Sequence, residues 1–236
     1  MLLGLAAAAE NPAGDVRVLL APRVEATLSS QIPGRIDEVL VRDGDPMRKG
    51  APLLRFDCGL QRAELAKANA QLKGATATFQ SNQKLTSLGS SSQLDLAISE
   101  AKMEEARAEV GRIRALLEHC EISAPFDGRV VEVKVHAHEG VSQGQPLLEV
   151  LADRDLEAKL FVPSVWLQWL RPGLGFRIQI GETGQEYRAR IDAIGARVDP
   201  VSQSIPLRGR IEGEHPELLA GMSGVALFDP PPKGSH

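Results

Sequence analysis

Hydrophobic and polar positions alternate over two short stretches of this 236-residue chain, and the two stretches are copies of one another. Residues 34–56 align with residues 128–150 at a constant offset of 94 and without a gap. Gly34-Arg35-Ile36 matches Gly128-Arg129-Val130, Glu38-Val39 matches Glu132-Val133, and Val41 matches Val135. Gly50-Ala51-Pro52-Leu53-Leu54 matches Gly144-Gln145-Pro146-Leu147-Leu148, and nine of the 23 positions are identical. Each copy opens on glycine, runs through period-two apolar residues such as Val131, Val133 and Val135, and breaks at turn residues before a second apolar run. That pattern predicts strand, turn, strand. Neither copy is long enough to bury a core alone, so the two are expected to face each other as a small β-sandwich, split across whatever lies between them.

What lies between is helical. From Leu60 to Leu117 there is no proline, and Ala, Leu, Glu, Gln, Lys and Arg predominate. The run breaks at Leu88-Gly89-Ser90-Ser91-Ser92, where glycine suits the end of one helix and serine the start of the next. Two helices of roughly 28 residues, each about 42 Å long, are predicted. On the first, Leu65, Ala68, Leu72, Ala75 and Phe79 keep a 3-4 spacing; on the second, Leu96, Ser99, Met103, Ala106, Val110, Ile113 and Leu117 do the same. Folding back about Gly89 pairs residues whose numbers sum to 178: Leu65 with Ile113, Ala68 with Val110, Leu72 with Ala106, Ala75 with Met103, Phe79 with Ser99. One fold point brings both seams into register, which predicts an antiparallel coiled-coil hairpin over 58–120 with its tip at 88–92. Cys58 and Cys120 also sum to 178 and continue the seams, so they are expected to face each other at the base. They are a disulfide candidate in an oxidising compartment, closing a loop worth about 4 kcal/mol of chain entropy; two buried free thiols are the alternative.

After Leu151 the period returns to two. Leu156, Ala158, Leu160 and Val162 alternate with Glu157 and Lys159; Phe176, Ile178 and Ile180 alternate with Arg177 and Gln179; Tyr187, Ala189 and Ile191 follow, and Val225 and Leu227 close the series. About six short strands with Gly/Pro-rich turns predict a small β-barrel over 152–228. A short helix is expected from Pro163 to Leu170, ended by Pro172-Gly173, with Trp166 and Trp169 packing the barrel. The fold class is therefore mixed and elongated: a β-sandwich in two halves (24–57 and 121–151), interrupted by the hairpin and followed by the barrel.

Composition narrows the function. With 27 basic and 31 acidic side chains, a net charge of -4 and no block of five Lys/Arg, the chain lacks the electrostatic footprint of a nucleic-acid binder. No run of about 18 apolar residues predicts a membrane-spanning helix. Residues 1–9, Met1 to Ala9, have the texture of a secretory leader cut before Glu10, with no cysteine after it to carry a lipid. Residues 229–236 read as a linker or tag remnant.

These features together resemble the haemolysin-D-like family, the membrane-fusion proteins or periplasmic adaptor subunits of bacterial tripartite efflux systems. Gly34-Arg35-Ile36, Val41, Gly44-Asp45, Lys49-Gly50 and Leu53 resemble the first half of the family's lipoyl/biotinyl-like domain, and Ile122-Ser123-Ala124-Pro125-Phe126-Asp127-Gly128-Arg129-Val130 the start of the second. Val162-Pro163, Gly173, Asp199-Pro200, Ser202-Gln203-Ser204, Leu207-Arg208 and Gly221-Met222 resemble landmarks of its barrel. The resemblance implies a non-catalytic periplasmic adaptor that joins an inner-membrane pump to an outer-membrane channel and assembles with itself into a ring, commonly a hexamer. The resistance-nodulation-division pump type is favoured; an ABC-type exporter and a heavy-metal system are the alternatives. The family's tip motif usually has an arginine where Gln83-Lys84-Leu85 stands here.

The tip residues Leu85, Leu88, Gly89, Ser90, Ser91, Ser92 and Leu94 are the candidate channel contact, because leucines flanking a polar turn leave apolar groups in solvent. His136-Ala137-His138-Glu139 places two imidazoles on one face of a predicted strand, a weak metal candidate without a third ligand in sequence. A lipoyl or biotinyl carrier would present a lysine on a tight hairpin between contiguous halves, whereas Phe56-Asp57-Cys58 opens the long insertion and offers no such lysine. No cofactor is expected. Gly221-Met222-Ser223-Gly224 lacks the spacing of a nucleophile elbow, and neither a metalloprotease helix motif nor a phosphate loop occurs, so no enzyme is expected.

Overall fold

The computed structural model describes residues 16–229, so the leader at 1–9 and all but the first residue of the 229–236 tail lie outside the described residues. In chain order the elements are β1 (Val16–Pro22), β2 (Glu25–Ser29), β3 (Gly34–Val39), β4 (Pro46–Met47), β5 (Pro52–Phe56), α1 (Gly59–Ser87), α2 (Gln93–Glu118), β6 (Glu121–Ser123), β7 (Gly128–Val133), β8 (Gly140–Val141), β9 (Pro146–Leu151) and β10 (Leu156–Pro163). A 3-10 turn (Ser164–Gln168), β11 (Gly175–Ile180), β12 (Glu186–Ile194), β13 (Ser204–Ile211) and β14 (Ser223–Leu227) complete them. They form two compact units: one spans Ala26–Val150, and the other joins the described residues up to Glu25 with those from Leu151 onward.

In the first unit the repeat becomes a strand exchange. The offset of 94 holds at the start of every strand, since β3, β4 and β5 begin at Gly34, Pro46 and Pro52, and β7, β8 and β9 at Gly128, Gly140 and Pro146. Two four-stranded sheets result, ordered β6-β5-β3-β8 and β2-β9-β7-β4, so each half lends a two-residue strand to the other half's sheet. The turn hydrogen bonds come in matching pairs. Gly44 N–H donates to the Val130 carbonyl at 2.9 Å and His138 N–H to that of Ile36 at 2.8 Å; Gly50 N–H donates to Ala124 at 2.8 Å and Gly144 N–H to Ser30 at 2.7 Å. Alternation turns Ile36, Leu53 and Leu54 from one sheet, and Val130, Leu147 and Leu148 from the other, into a single buried cluster.

The two helices leave this unit between β5 and β6. Their shielded positions follow the 3-4 spacing: Ala68, Val110 and Ile113 are buried with Leu65, Leu72 and Leu117 packed on them, and Ser99 and Met103 are buried nearer the tip. The remaining faces are wet, with Arg107–Glu104 and Arg112–Glu109 pairs one turn apart on α2.

The second unit is a closed six-stranded barrel, ordered β1-β10-β13-β12-β11-β14 with β14 returning to β1, and every adjacent pair is antiparallel. Its inward residues alternate, as in β10, where Ala158, Leu160 and Val162 are buried. β1 comes from residues that the alternation left outside any domain. The reason is local: Val16, Val18 and Leu20 face the core, but Leu19 and Ala21 on the other side of the strand are apolar too, which blurs the period-two signal. The expected short helix is a 3-10 turn, whose end Arg171 closes with hydrogen bonds to the carbonyls of Leu167, Leu170 and Gln168 at 2.9, 2.7 and 3.2 Å. The Trp166 and Trp169 rings lie 5.3 Å apart, tilted by 37°, and each meets Phe228 edge-to-face.

Candidate functional site

The root of the hairpin is tied into the core beneath it. Cys58 and Cys120 are joined by a disulfide with their Cα atoms 6.2 Å apart, and both belong to the buried cluster of the two sheets. Beside it, Phe56 N–H donates to the Cys120 carbonyl at 2.8 Å, continuing the β5–β6 ladder to the helix ends. Asp57 makes the turn into α1: Gly59 N–H donates to one carboxylate oxygen at 3.3 Å and Arg35 Nη2 to the other at 2.8 Å. The Arg35 guanidinium first, and the Gly59 N–H second, hold this carboxyl below the usual carboxylate range. A depressed carboxyl stabilises the fold above its unfolded pKa, and that contribution is lost as pH falls through the folded value; with both partners exposed it is small. Arg55 bridges its cross-strand neighbours Glu38 and Glu121 at 3.2 and 3.1 Å, bracing the three strands from which the hairpin rises.

At the other end, the turn is closed by the chain itself. Gly89 adopts φ +72°, and this left-handed residue lets Ser90 N–H donate to Leu85 O at 2.9 Å and Gly89 N–H to Thr86 O at 3.0 Å, satisfying the last carbonyls of α1. Ser92 starts α2: Asp95 N–H donates to its Oγ at 3.1 Å, and its hydroxyl donates back to the Asp95 carboxylate at 2.6 Å. Asn82 of α1 reaches across to the Asp95 carbonyl at 3.4 Å. Replacing Ser92 by Ala is expected to cost about 1 kcal/mol of hairpin stability, read as a lower urea midpoint by far-UV circular dichroism.

With its polar groups consumed in capping, the tip presents leucine. Leu88 and Leu94 are each 68% exposed, and Leu85 is exposed one turn before Leu88. The sequence reading missed a fourth member. Ile98 lies one turn beyond Leu94 and is exposed as well, and the signal was present: an i, i+4 apolar pair that falls off the Leu96-Ser99-Met103 seam.

The histidine pair does not have the expected geometry. β7 ends at Val133, and His136 to Glu139 form a tight turn in which Glu139 N–H donates to His136 O at 3.2 Å and His136 N–H to the Glu139 carboxylate at 2.9 Å. His138 has φ +69°, so the two side chains do not share one face of a strand. The offset explains it: His138 occupies the position of Gly44, which has φ +85° in the first copy. Among the described residues no group of three or more His, Cys, Asp or Glu is placed to hold a metal ion.

No family model matches the chain. Its architecture does match solved structures. The membrane fusion protein Spr0693 of Streptococcus pneumoniae R6 aligns with a TM-score of 0.74 at 18% identity, over 89% of this chain and 96% of that one. This chain has the membrane-fusion protein fold. A chimera of MacA and MexA, containing the α-hairpin domain of Pseudomonas aeruginosa MexA, shares the fold with a TM-score of 0.80 at 21% identity, over 89% of this chain and 78% of that one. In sequence, the chain is 25% identical over 231 residues to the macrolide export protein MacA of Yersinia pestis, across 84% of this chain and 62% of the relative. It spans 56% and 63% of the length of two further curated relatives. No helix among the described residues of this membrane-fusion fold is long and apolar enough to cross a membrane.

Proposed function

We propose that this membrane-fusion protein is a non-catalytic periplasmic adaptor in an efflux system, bridging an inner-membrane exporter and an outer-membrane channel. The observation that carries the proposal is the group of exposed apolar side chains, Leu85, Leu88, Leu94 and Ile98, at the end of a hairpin whose base is locked. A thin helical pair gains nothing in water from leucines at its tip; they are suited to the grooves between helices of a partner. In this reading the exchanged sheets (24–57 and 121–151) are a split lipoyl-like domain, the hairpin (58–120) is a spacer and channel contact, and the barrel (152–228) stacks with its copies in a ring. A disulfide supports residence in an oxidising compartment, here the periplasm. The relatives' names, macrolide export protein and multidrug resistance protein, support efflux as the task.

The test is photo-crosslinking from position 88 in intact cells. The expected adduct is with an outer-membrane channel protein, and Leu88→Asp is expected to abolish both channel capture and transport while leaving folding and abundance unchanged. Undiminished transport by a well-folded Leu88→Asp protein would refute the tip contact.

A further inference from the structure

Four consecutive strands of the closed barrel, β10, β13, β12 and β11, set cation against cation on their outer side. Across adjoining strands Lys159 stands opposite Arg208, Arg210 opposite Arg190, and Arg188 opposite Arg177. All six residues are exposed. Like charges directly opposite one another destabilise an antiparallel pair, so three such pairs on β10 to β13 of a chain with net charge -4 oppose the barrel's own stability. Carboxylates offset part of this: Glu157 lies 3.4 Å from Lys159 and stands opposite Arg210 across the strands, Glu212 pairs with Arg190, and Glu186 and Asp229 lie 3.3 and 3.4 Å from Arg177. Asp192, at the β12 bulge, is the remaining carboxylate on these four strands. Arg188, Arg208 and Arg210 have no side-chain hydrogen bond or ion pair among the described residues.

Apolar groups adjoin the basic face. Phe161, two residues beyond Lys159 on the same side of β10, is 66% exposed and sits opposite Pro206. Val165 is equally exposed in the following turn, and together with Phe161 it lines a shallow depression floored by Pro163 and Gln203.

We infer that the outer side of β10, β13 and β12, where Lys159, Arg208, Arg210, Arg190 and Arg188 stand, binds the surface of a bilayer containing anionic phospholipid. Four of these five cations are arginine, whose planar guanidinium matches phosphate oxygens in a two-pronged hydrogen bond. Their repulsion is relieved when phosphates stand between them. Phe161 and Val165 enter the headgroup layer beside them, adding apolar burial to the electrostatic attraction. An acidic protein surface would satisfy the arginines and leave these apolar groups unexplained. The inference stands on the barrel alone, so it succeeds or fails separately from the tip contact.

Flotation of the full chain with phosphatidylcholine vesicles, with and without phosphatidylglycerol, tests it. Binding is expected to phosphatidylglycerol vesicles only, and to weaken as salt is raised. The triple variant Arg188→Gln/Arg208→Gln/Arg210→Gln is expected to partition roughly a hundredfold less. Because it also removes the opposed cations, its barrel melts at a higher temperature than the parent's, which separates lost binding from lost folding. Phe161→Ser is expected to weaken binding at every salt concentration. No binding to phosphatidylglycerol vesicles, equal binding to neutral ones, or an unaffected triple variant overturns the inference, as does binding to polyglutamate in place of vesicles.

Discussion

Reducing the Cys58–Cys120 disulfide is expected to destabilise the sheet-and-hairpin unit by about 4 kcal/mol and to leave the unfolding of the barrel where it was. The magnitude comes from the sequence separation of 62 residues, the whole hairpin, which the bond removes from the freedom of the unfolded chain. It is large for this unit because a two-helix pair buries only one narrow seam, and because both sulfurs sit in the cluster shared by the two sheets. The chain carries its own reporters for the separation. Both tryptophans, Trp166 and Trp169, pack on the barrel core, while α1 and α2 supply the helical circular dichroism of the other unit. On adding dithiol, the urea midpoint read by circular dichroism should fall and the midpoint read by tryptophan fluorescence should not move. An unchanged circular-dichroism midpoint in fully reduced protein would show that the bond contributes nothing.

Gly224→Ala is expected to do the reverse. Gly224 lies in β14 opposite Ile180 of β11 on one side and Val18 of β1 on the other, at the seam where the barrel closes. A β-carbon there falls 2.0 Å from the Gln179 carbonyl oxygen, 2.9 Å from its carbon and 3.0 Å from the Ile180 α-carbon. These are main-chain atoms, which cannot rotate aside as a side chain does, so relief requires moving one strand away from its partner. The cost is about 3 kcal/mol, seen in the tryptophan transition with the helical signal spared. A barrel that melts normally with alanine at this position would contradict the close approach.

Much of the architecture was legible because its signals are local. The hairpin declares itself through residues three and four apart, and its register through a sum that Leu65 and Ile113 share with Ala68 and Val110. Strands β10 and β11 alternate cleanly because one side faces charged groups in water. β1 was not legible: its partners, around residues 156–160 and 223–226, are remote in sequence, and apolar residues on both sides of the strand at Leu19, Leu20 and Ala21 mask its period. The histidines failed differently. Their alternation is genuine, but at that point of the repeat the first copy has Gly44, and a glycine in the earlier turn was the better guide to His138 than the spacing of the two side chains. At the candidate site, the capping serines and flanking leucines could be read from sequence, whereas Ile98 required setting aside the seam and asking which apolar residues were left over.

The order of elements along the chain nests one unit inside another: β1 comes first, then one half of the sheets, the hairpin, the second half of the sheets, and the rest of the barrel. A chain delivered from its N-terminus therefore finishes its hairpin before its sheets and its sheets before its barrel. β1 is made early yet has no partner until β10 and β14 arrive, and β14 is the last strand among the described residues. A chain stopped short of residue 223 has every inner element but leaves β1 and β11 each with an open edge, the kind of surface on which stray strands add and chains aggregate. Because the closing strand follows all of its partners in the chain, the barrel's two edges stay open until residues 223–227 have arrived, and closure is the last step of its assembly.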